Sequence, residues 1–268
     1  MIRSALFVPA TRIDRIEKAL ATGADAVIID LEDAVAVEAK VQARNDLATF
    51  LSAHHDIELW VRVNGAQTPW FDDDLCLCER FRKITGVMLP KAEHPEQIAR
   101  IYSKTGRAVY PIIESAKGIA AIPDIAKAQG VARLSFGALD LGVDLGLENG
   151  SEGATFLLNQ MRVQLVVQSR VAGIGAPLDG VYPNFKDTEG LRQSMTFTKG
   201  MGFAGALCIH PSQVEVIHSV MNFSEEEIRW AKAVLAKYEE TGLAAFAFEG
   251  QMVDMPVIER AKRILEQA

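Results

Sequence analysis

The residues best suited to chemistry are carboxylates standing behind apolar runs. Asp30-Leu31-Glu32-Asp33 follows Val27-Ile28-Ile29, Glu114 follows Tyr110-Pro111-Ile112-Ile113, and Asp140 closes Phe136-Gly137-Ala138-Leu139-Asp140. Carboxylates gathered in one mouth repel unless protonated or neutralised, and a divalent cation is the usual remedy. Oxygen-only ligands favour Mg²⁺, which takes one or two carboxylates and leaves its other positions to water and substrate oxygens. Glu114 and Asp140 are the candidate pair. Spacing alone equally allows each to cap the helix after it, since Glu114 precedes Ser115 and Asp140 precedes Leu141-Gly142. Arg62 and Asn64 alternate with Val61 and Val63, which predicts that both point to one strand face. An arginine inside a barrel needs an anion. Its planar fork matches a substrate carboxylate bidentately, with a structural ion pair to Glu32 or Asp33 as the alternative.

Other chemistries find no residues. There is no Gly-x-Ser-x-Gly, His-Glu-x-x-His, Cys-x-x-Cys or Gly-Lys-Ser/Thr, and Gly173-Ile174-Gly175 lacks a third spaced glycine. The three cysteines, Cys76, Cys78 and Cys208, form no disulfide framework and no zinc set, which fits a reducing cytoplasm. His54-His55 reads as a solvated turn. With Lys+Arg 28 against Asp+Glu 35 the net charge is −7, so no global positive field draws in nucleic acid. No apolar run approaches the roughly 18 residues of a membrane span, and Arg12 and Asp14 halt the run Ala5 to Ala10 too early for a signal peptide.

What must position these residues is an alternation of strands and helices. Strand-like runs occupy Ser4–Pro9, Ala26–Glu32, Glu58–Asn64, Gly86–Lys91, Ala108–Ser115, Arg133–Asp140, Ala176–Tyr182 and Ala206–Pro211. Most are near-continuously apolar, which suits parallel strands buried on both faces better than half-exposed antiparallel ones. Between them, Arg12–Ala21 carries Ile13, Ile16 and Leu20 at helical spacing, Glu38–Leu51 carries Val41, Leu47 and Leu51, and Phe156–Ala172 is a longer amphipathic stretch. Eight βα units fit a (β/α)₈ barrel, and periodicity alone also fits a doubly wound sheet. Polar residues ending nearly every run favour the barrel, where those ends converge on one mouth. The division read from the sequence is a barrel over 1–223 and an extension over 224–268. That extension holds a helix Ser224–Thr241, a mobile-looking connection Leu243–Gly250 and a helix from about Pro256.

Leu6-Phe7-Val8-Pro9, Asp30-Leu31-Glu32-Asp33-Ala34-Val35, Val61-Arg62-Val63-Asn64, Leu89-Pro90-Lys91, Ile113-Glu114-Ser115-Ala116, Phe136-Gly137-Ala138-Leu139-Asp140-Leu141, Ile209-His210-Pro211-Ser212-Gln213 and Gly250-Gln251-Met252-Val253-Asp254-Met255-Pro256 together resemble the citrate lyase beta-subunit family, within the HpcH/HpaI aldolase superfamily. The resemblance runs in order through nearly the whole chain. It implies a TIM barrel that uses Mg²⁺ to break or form a carbon–carbon bond. By motif, Glu114 and Asp140 would bind Mg²⁺, Arg62 would hold the oxo-acid or acyl portion, and Glu32 with Asp33 would order metal-bound water. Asp254 would be the acid/base, delivered from the C-terminal segment of a neighbouring subunit in a homotrimer. The expected catalytic set is thus Asp254, Arg62 and Glu114, with Arg62 and Glu114 touching substrate. Without the resemblance, Asp254 reads as the cap of the terminal helix. Departures from the family pattern are Pro9-Ala10-Thr11-Arg12 in place of Pro-Gly-Asn-Arg, Lys117 for arginine, Leu139 for an acidic residue, and Gln251 for a basic one.

The function implied is cleavage of a 3-hydroxyacyl-CoA of the malyl-CoA or citramalyl-CoA type to acetyl-CoA and glyoxylate or pyruvate. The alternative within enzymology is the lyase chain of a multi-subunit citrate lyase, taking a citryl thioester on an acyl-carrier protein. A non-catalytic thioester-binding subunit is the reading from a different class, and the presence of Glu114, Asp140, Arg62 and Asp254 together argues against it.

Overall fold

The computed structural model describes residues 2–267. Eight strands form in the expected order: β1 (Ser4–Pro9), β2 (Ala26–Asp30), β3 (Leu59–Arg62), β4 (Ile84–Leu89), β5 (Ala108–Ile113), β6 (Arg133–Phe136), β7 (Gly175–Asp179) and β8 (Gly205–Cys208). All pair in parallel with their sequence neighbours, and β8 returns to β1 through Ala5 opposite Leu207, closing the barrel. All but β1 stop short of the C-terminal ends expected from sequence, β6 most of all, at Phe136 instead of Asp140. Pairing ends where the chain turns outward to build the mouth.

The barrel interior is filled by side chains. Ala5, Ile28, Trp60, Met88, Tyr110, Leu178 and Leu207 form one buried cluster, each large member worth about 1.5–3 kcal/mol of burial. Trp60 stacks on Tyr110 at 3.7 Å between ring centroids. Gly86 makes room for it, since a Cβ there would lie 2.6 Å from the indole.

The helices are α1 (Ile16–Leu20), α2 (Lys40–Ala53), α3 (Phe71–Arg80), α4 (Pro95–Thr105), α5 (Ala116–Lys127), α6 (Ala138–Asp144), α7 (Glu152–Ala172), α8 (Thr188–Met201), α9 (Ser212–Met221), α10 (Glu225–Thr241) and α11 (Met255–Gln267). On α2, Leu47 and Leu51 are buried as expected, whereas Val41 is exposed. Helix α7 begins at Glu152 behind the cap Ser151, one turn before the expected start, and leaves Phe156 exposed. Cys76 and Cys78 fall on opposite sides of α3, one exposed and one buried. His54 ends α2 with its Nδ1 2.8 Å from the Phe50 carbonyl and its ring stacked on Phe50, so only His55 is freely solvated.

Two compact units divide between His218 and Ser219, inside α9, where the sequence reading placed the boundary at 223/224. The second unit has its own core of Ala231, Val234, Val253, Ile258, Ala261 and Ile264. Leu243–Gly250 is not the loose connection expected. It contains β9 (Phe246–Phe248), which pairs antiparallel with β10 (Gln251–Val253). The turn residues Glu249 and Gly250 have φ of 48° and 77°, the left-handed pair that a tight hairpin turn requires. Among the described residues no helix is long and apolar enough to cross a membrane.

Candidate active site

The mouth of the barrel is organised by Asp30, the last residue of β2 and 1% exposed. Its Oδ1 accepts the Glu32 N–H at 2.9 Å and its Oδ2 the Ala34 N–H at 3.1 Å. Buried Lys40 donates from Nζ to the carbonyls of Leu31 at 3.0 Å and Glu32 at 2.9 Å. The loop carrying Glu32 and Asp33 is therefore pinned from both sides.

Arg62 ends β3 directly opposite Asp30 in the strand register. Its Nε and Nη2 donate to the two Asp30 oxygens at 2.7 and 2.6 Å. The fork is taken bidentately by Asp30, a partner the sequence did not single out, and the ion pair to Glu32 and Asp33 that the sequence allowed is present as well. Nη1 remains, 3.1 Å from Glu32 Oε2 and 3.6 Å from Asp33 Oδ2. The guanidinium also lies 4.8 Å from the Phe7 ring. Burial works against its charge, but Asp30, Glu32 and Asp33 outweigh burial and raise its affinity for the proton. Asn64 does not share this face. Strand β3 stops at Arg62, and Asn64 turns its N–H and Nδ2 to Asp74 Oδ2 on α3, at 2.9 and 2.7 Å.

Glu114 follows β5 and is 6% exposed. Its Oε1 accepts the Lys91 N–H at 2.7 Å, and Lys91 presents that N–H from a left-handed backbone at φ 48°, uncommon for a residue with a side chain. Burial pushes the Glu114 carboxyl up to about 8, against the Lys91 N–H and with the help of Asp140 and Glu32. Glu32 is pushed up to about 7 by burial, offset by Arg62 and raised again by Asp33. Asp140 lies within the first turn of α6, beyond the strand end assigned to it from sequence, and its carboxylate is exposed. Gly137 allows the approach, because a methyl there would overlap both the Cβ and Oε2 of Glu114.

Neither carboxylate is a cap. Ser115 caps α5 by accepting the Gly118 N–H, and Gly137 occupies the cap position of α6. Asp254, by contrast, stands immediately before α11, where its Oδ1 accepts a long 3.4 Å bond from the Val257 N–H. It belongs to the second compact unit.

Among the described residues no three His, Cys, Asp or Glu side chains form a ready-made metal cage. A cation that takes two carboxylates and completes its shell with water and substrate still fits. Two acids are driven toward neutrality by burial and by neighbouring carboxylates, Asp33 acting on Glu32, and Asp140 with Glu32 on Glu114. Glu32 Oε2 is buried without a hydrogen bond, with Arg62 Nη1 as its ion-pair partner. Sequence reasoning named Asp30 and Lys91 but gave neither a role. The signal for Asp30 was its register with Arg62; nothing in the sequence marks the Lys91 backbone.

The sequence profile described as HpcH/HpaI aldolase/citrate lyase matches residues 3–211. The chain belongs to this family. Among curated relatives of this aldolase/citrate lyase chain, it is 34% identical to the citrate lyase subunit beta-like protein of Deinococcus radiodurans, over 99% of this chain and 96% of that one. It is 31% identical to the L-malyl-CoA/beta-methylmalyl-CoA lyase of Rhodobacter capsulatus, over 99% and 94%. The crystal structure of protein CitE from Mycobacterium tuberculosis in complex with magnesium, acetoacetate and coenzyme A superposes with a TM-score of 0.85 at 34% identity, covering 99% of this chain and 97% of that one. The expected fold, family and class of enzyme, a lyase, agree with these relatives.

Proposed function

We propose that this chain is a Mg²⁺-dependent carbon–carbon lyase that cleaves a 3-hydroxyacyl-CoA of the malyl-CoA or citramalyl-CoA type to acetyl-CoA and a small 2-oxo acid. The observation that carries the reading is the Glu114 carboxyl, buried after β5, pushed up to about 8, and faced by Asp140 and Glu32. Such a group is costly to ionise unless a cation stands beside it. Glu114 and Asp140 would hold Mg²⁺, with Glu32 and Asp33 orienting its water ligands. When bound, the ion supplies Lewis-acid polarisation of the oxygens on the oxo-acid half.

Arg62 would hold the oxo-acid carboxylate from Nη1, the nitrogen not bonded to Asp30, which the substrate would share with Glu32 at 3.1 Å and Asp33 at 3.6 Å. The remaining chemistry is a proton transfer. As the bond between the α and β carbons breaks, the hydroxyl gives up its proton to water and its carbon becomes the carbonyl of the oxo acid. The electron pair of the broken bond stays on the acetyl carbon, which takes a proton from the Asp254 carboxyl; water then returns a proton to Asp254. In the condensing direction the same carboxylate removes the proton from the acetyl carbon. Asp254 sits in a compact unit separate from the barrel, which supports delivery to the mouth of a neighbouring chain in a homotrimer. An exposed apolar stripe of Phe156, Val163, Val167 and Val171 along α7 supports self-association. Free thiols at Cys76, Cys78 and Cys208 fit the cytoplasm.

Coenzyme A is the carrier favoured here, because the CitE neighbour was crystallised with it. The deciding experiment incubates the protein with Mg²⁺, acetyl-CoA and separate 2-oxo acids, among them glyoxylate, pyruvate and oxaloacetate, and identifies thioester products by mass. A product with glyoxylate or pyruvate is expected. Activity only with citryl thioester on an acyl-carrier protein would overturn the choice of carrier and substrate.

A further inference from the structure

Helix α6 carries Asp140 but is only seven residues long, too short to hold its own position without outside support. Both of its ends are tied to the segment that carries Glu114. At the start, the Gly137 N–H donates to the Ile113 carbonyl at 3.0 Å, immediately before Glu114. At the end, Asp144 Oδ2 accepts the Ala116 N–H at 2.6 Å, immediately after Ser115. Asp144 follows Asp140 by one helical turn, so the two carboxylates rise from the same side of α6. Ala116 opens α5, and its N–H is among those that a helix cannot satisfy internally. A carboxylate placed there also meets the positive end of the helix dipole. The receiving turn is itself fixed, because Ser115 accepts the Gly118 N–H at 3.1 Å and donates to Glu93 at 2.9 Å.

We propose that Asp144 is a positioning residue: its bond to Ala116 is the second point of a two-point clamp that sets the distance between Asp140 and Glu114, and so the affinity of the site for Mg²⁺. This rests on reading Glu114 and Asp140 as the metal pair. Asp144 reaches neither the substrate nor the ion in this role. It acts through the placement of α6, as an outer partner whose loss typically weakens a metal site tenfold or more. Its side chain is exposed and makes this one bond among the described residues, so removing it takes little from the fold while releasing one end of α6.

The test separates geometry from charge. Asp144→Asn keeps a side-chain oxygen able to accept from Ala116 but discards the charge, whereas Asp144→Ala discards both. Ala116→Pro removes the donor and leaves every carboxylate in place. Proline is well tolerated at the first helical position, and Ser115 already has the extended backbone (φ −139°, ψ 158°) that a following proline demands. Metal-free protein is titrated calorimetrically with MgCl₂, alongside thermal melts and hydrogen exchange over residues 138–147. Asp144→Ala and Ala116→Pro are expected to weaken Mg²⁺ binding by about tenfold and to speed exchange in α6, with melting temperatures close to wild type and Asp144→Asn binding like wild type. Equal loss in Asp144→Asn and Asp144→Ala overturns the clamp in favour of a charge effect. Unchanged affinity in both Asp144→Ala and Ala116→Pro overturns it outright. Glu114→Gln and Asp140→Asn run in parallel: loss in those with none in the clamp variants sinks Asp144 alone, while undiminished binding in those sinks the metal pair and this role together.

Discussion

Arg62 and Asp30 are partners twice over, opposite each other in the β2–β3 register and joined by a bidentate ion pair at 2.7 and 2.6 Å. The pairing leaves the arginine committed in place before any ligand arrives, with Nη1, which faces Glu32 at 3.1 Å and Asp33 at 3.6 Å, turned away from Asp30. Substituting lysine keeps the charge and loses the fork. Arg62→Lys should therefore bind pyruvate and glyoxylate at least tenfold more weakly in calorimetry while its Mg²⁺ affinity stays unchanged. Asp30→Ala should cost about 3–5 kcal/mol in urea unfolding, because it strands a buried guanidinium. Unaltered oxo-acid affinity in Arg62→Lys would return Arg62 to a purely structural role.

Gly137 is a spatial requirement of the proposed site. A methyl at this position overlaps the Cβ and Oε2 of Glu114, so Gly137→Ala must displace either Glu114 or the start of α6. Overpacking of this kind typically costs about 1–3 kcal/mol, yet the expected loss of Mg²⁺ affinity is larger than the loss of stability. Calorimetry and denaturant unfolding on the same preparation decide it. A variant that melts lower but binds Mg²⁺ normally would show that Glu114 tolerates the shift.

The raised carboxyls make the metal-free protein sensitive to pH in an uncommon direction. Glu114 sits at about 8 and Glu32 at about 7 when folded, against about 4.3 in the unfolded chain. Between these limits the folded state binds more protons, so stability is greatest near the lower limit and falls as pH rises toward 8. The loss is on the order of a few kcal/mol. His218, held low by burial beside Arg3, works in the opposite direction, which makes Glu114→Gln the proper comparison. Thermal melts in a chelator at several pH values should show wild type losing more stability than Glu114→Gln as pH rises, and Mg²⁺ should remove the difference. Identical pH profiles for the two proteins would sink the assignment.

The strands and the mouth were legible because burial on both faces of a parallel strand writes a continuous apolar run, and the polar residue that ends it stands out. That same continuity hid the start of α6. Phe136-Gly137-Ala138-Leu139 reads as uninterrupted strand, although pairing stops at Phe136. Asn64 was misread because alternation says which way a side chain points only while the strand lasts, and its partner Asp74 lies on another element. The hairpin of β9 and β10 was missed because each strand is three residues long, below the length at which alternation carries a signal. Asp30 was visible as an acidic residue, but its pairing with Arg62 depends on strand register, which no single segment encodes.

The last expectation concerns where Asp254 works. It precedes α11 in a unit with its own core, and its long bond to Val257 leaves most of its hydrogen-bonding capacity to spare. If it completes the site of a neighbouring chain, two inactive proteins can restore each other. Asp254→Asn keeps an intact Glu114 and Asp140, and Glu114→Gln keeps an intact Asp254. After subunit exchange at equal concentrations, a ring of head-to-tail contacts places a good barrel against a good Asp254 in about one quarter of sites. Activity near that fraction of wild type is expected, appearing at the rate of exchange, which mass spectrometry of isotope-labelled chains measures independently. Verified exchange with no return of activity would mean that Asp254 serves its own barrel or has no part in the proton transfer.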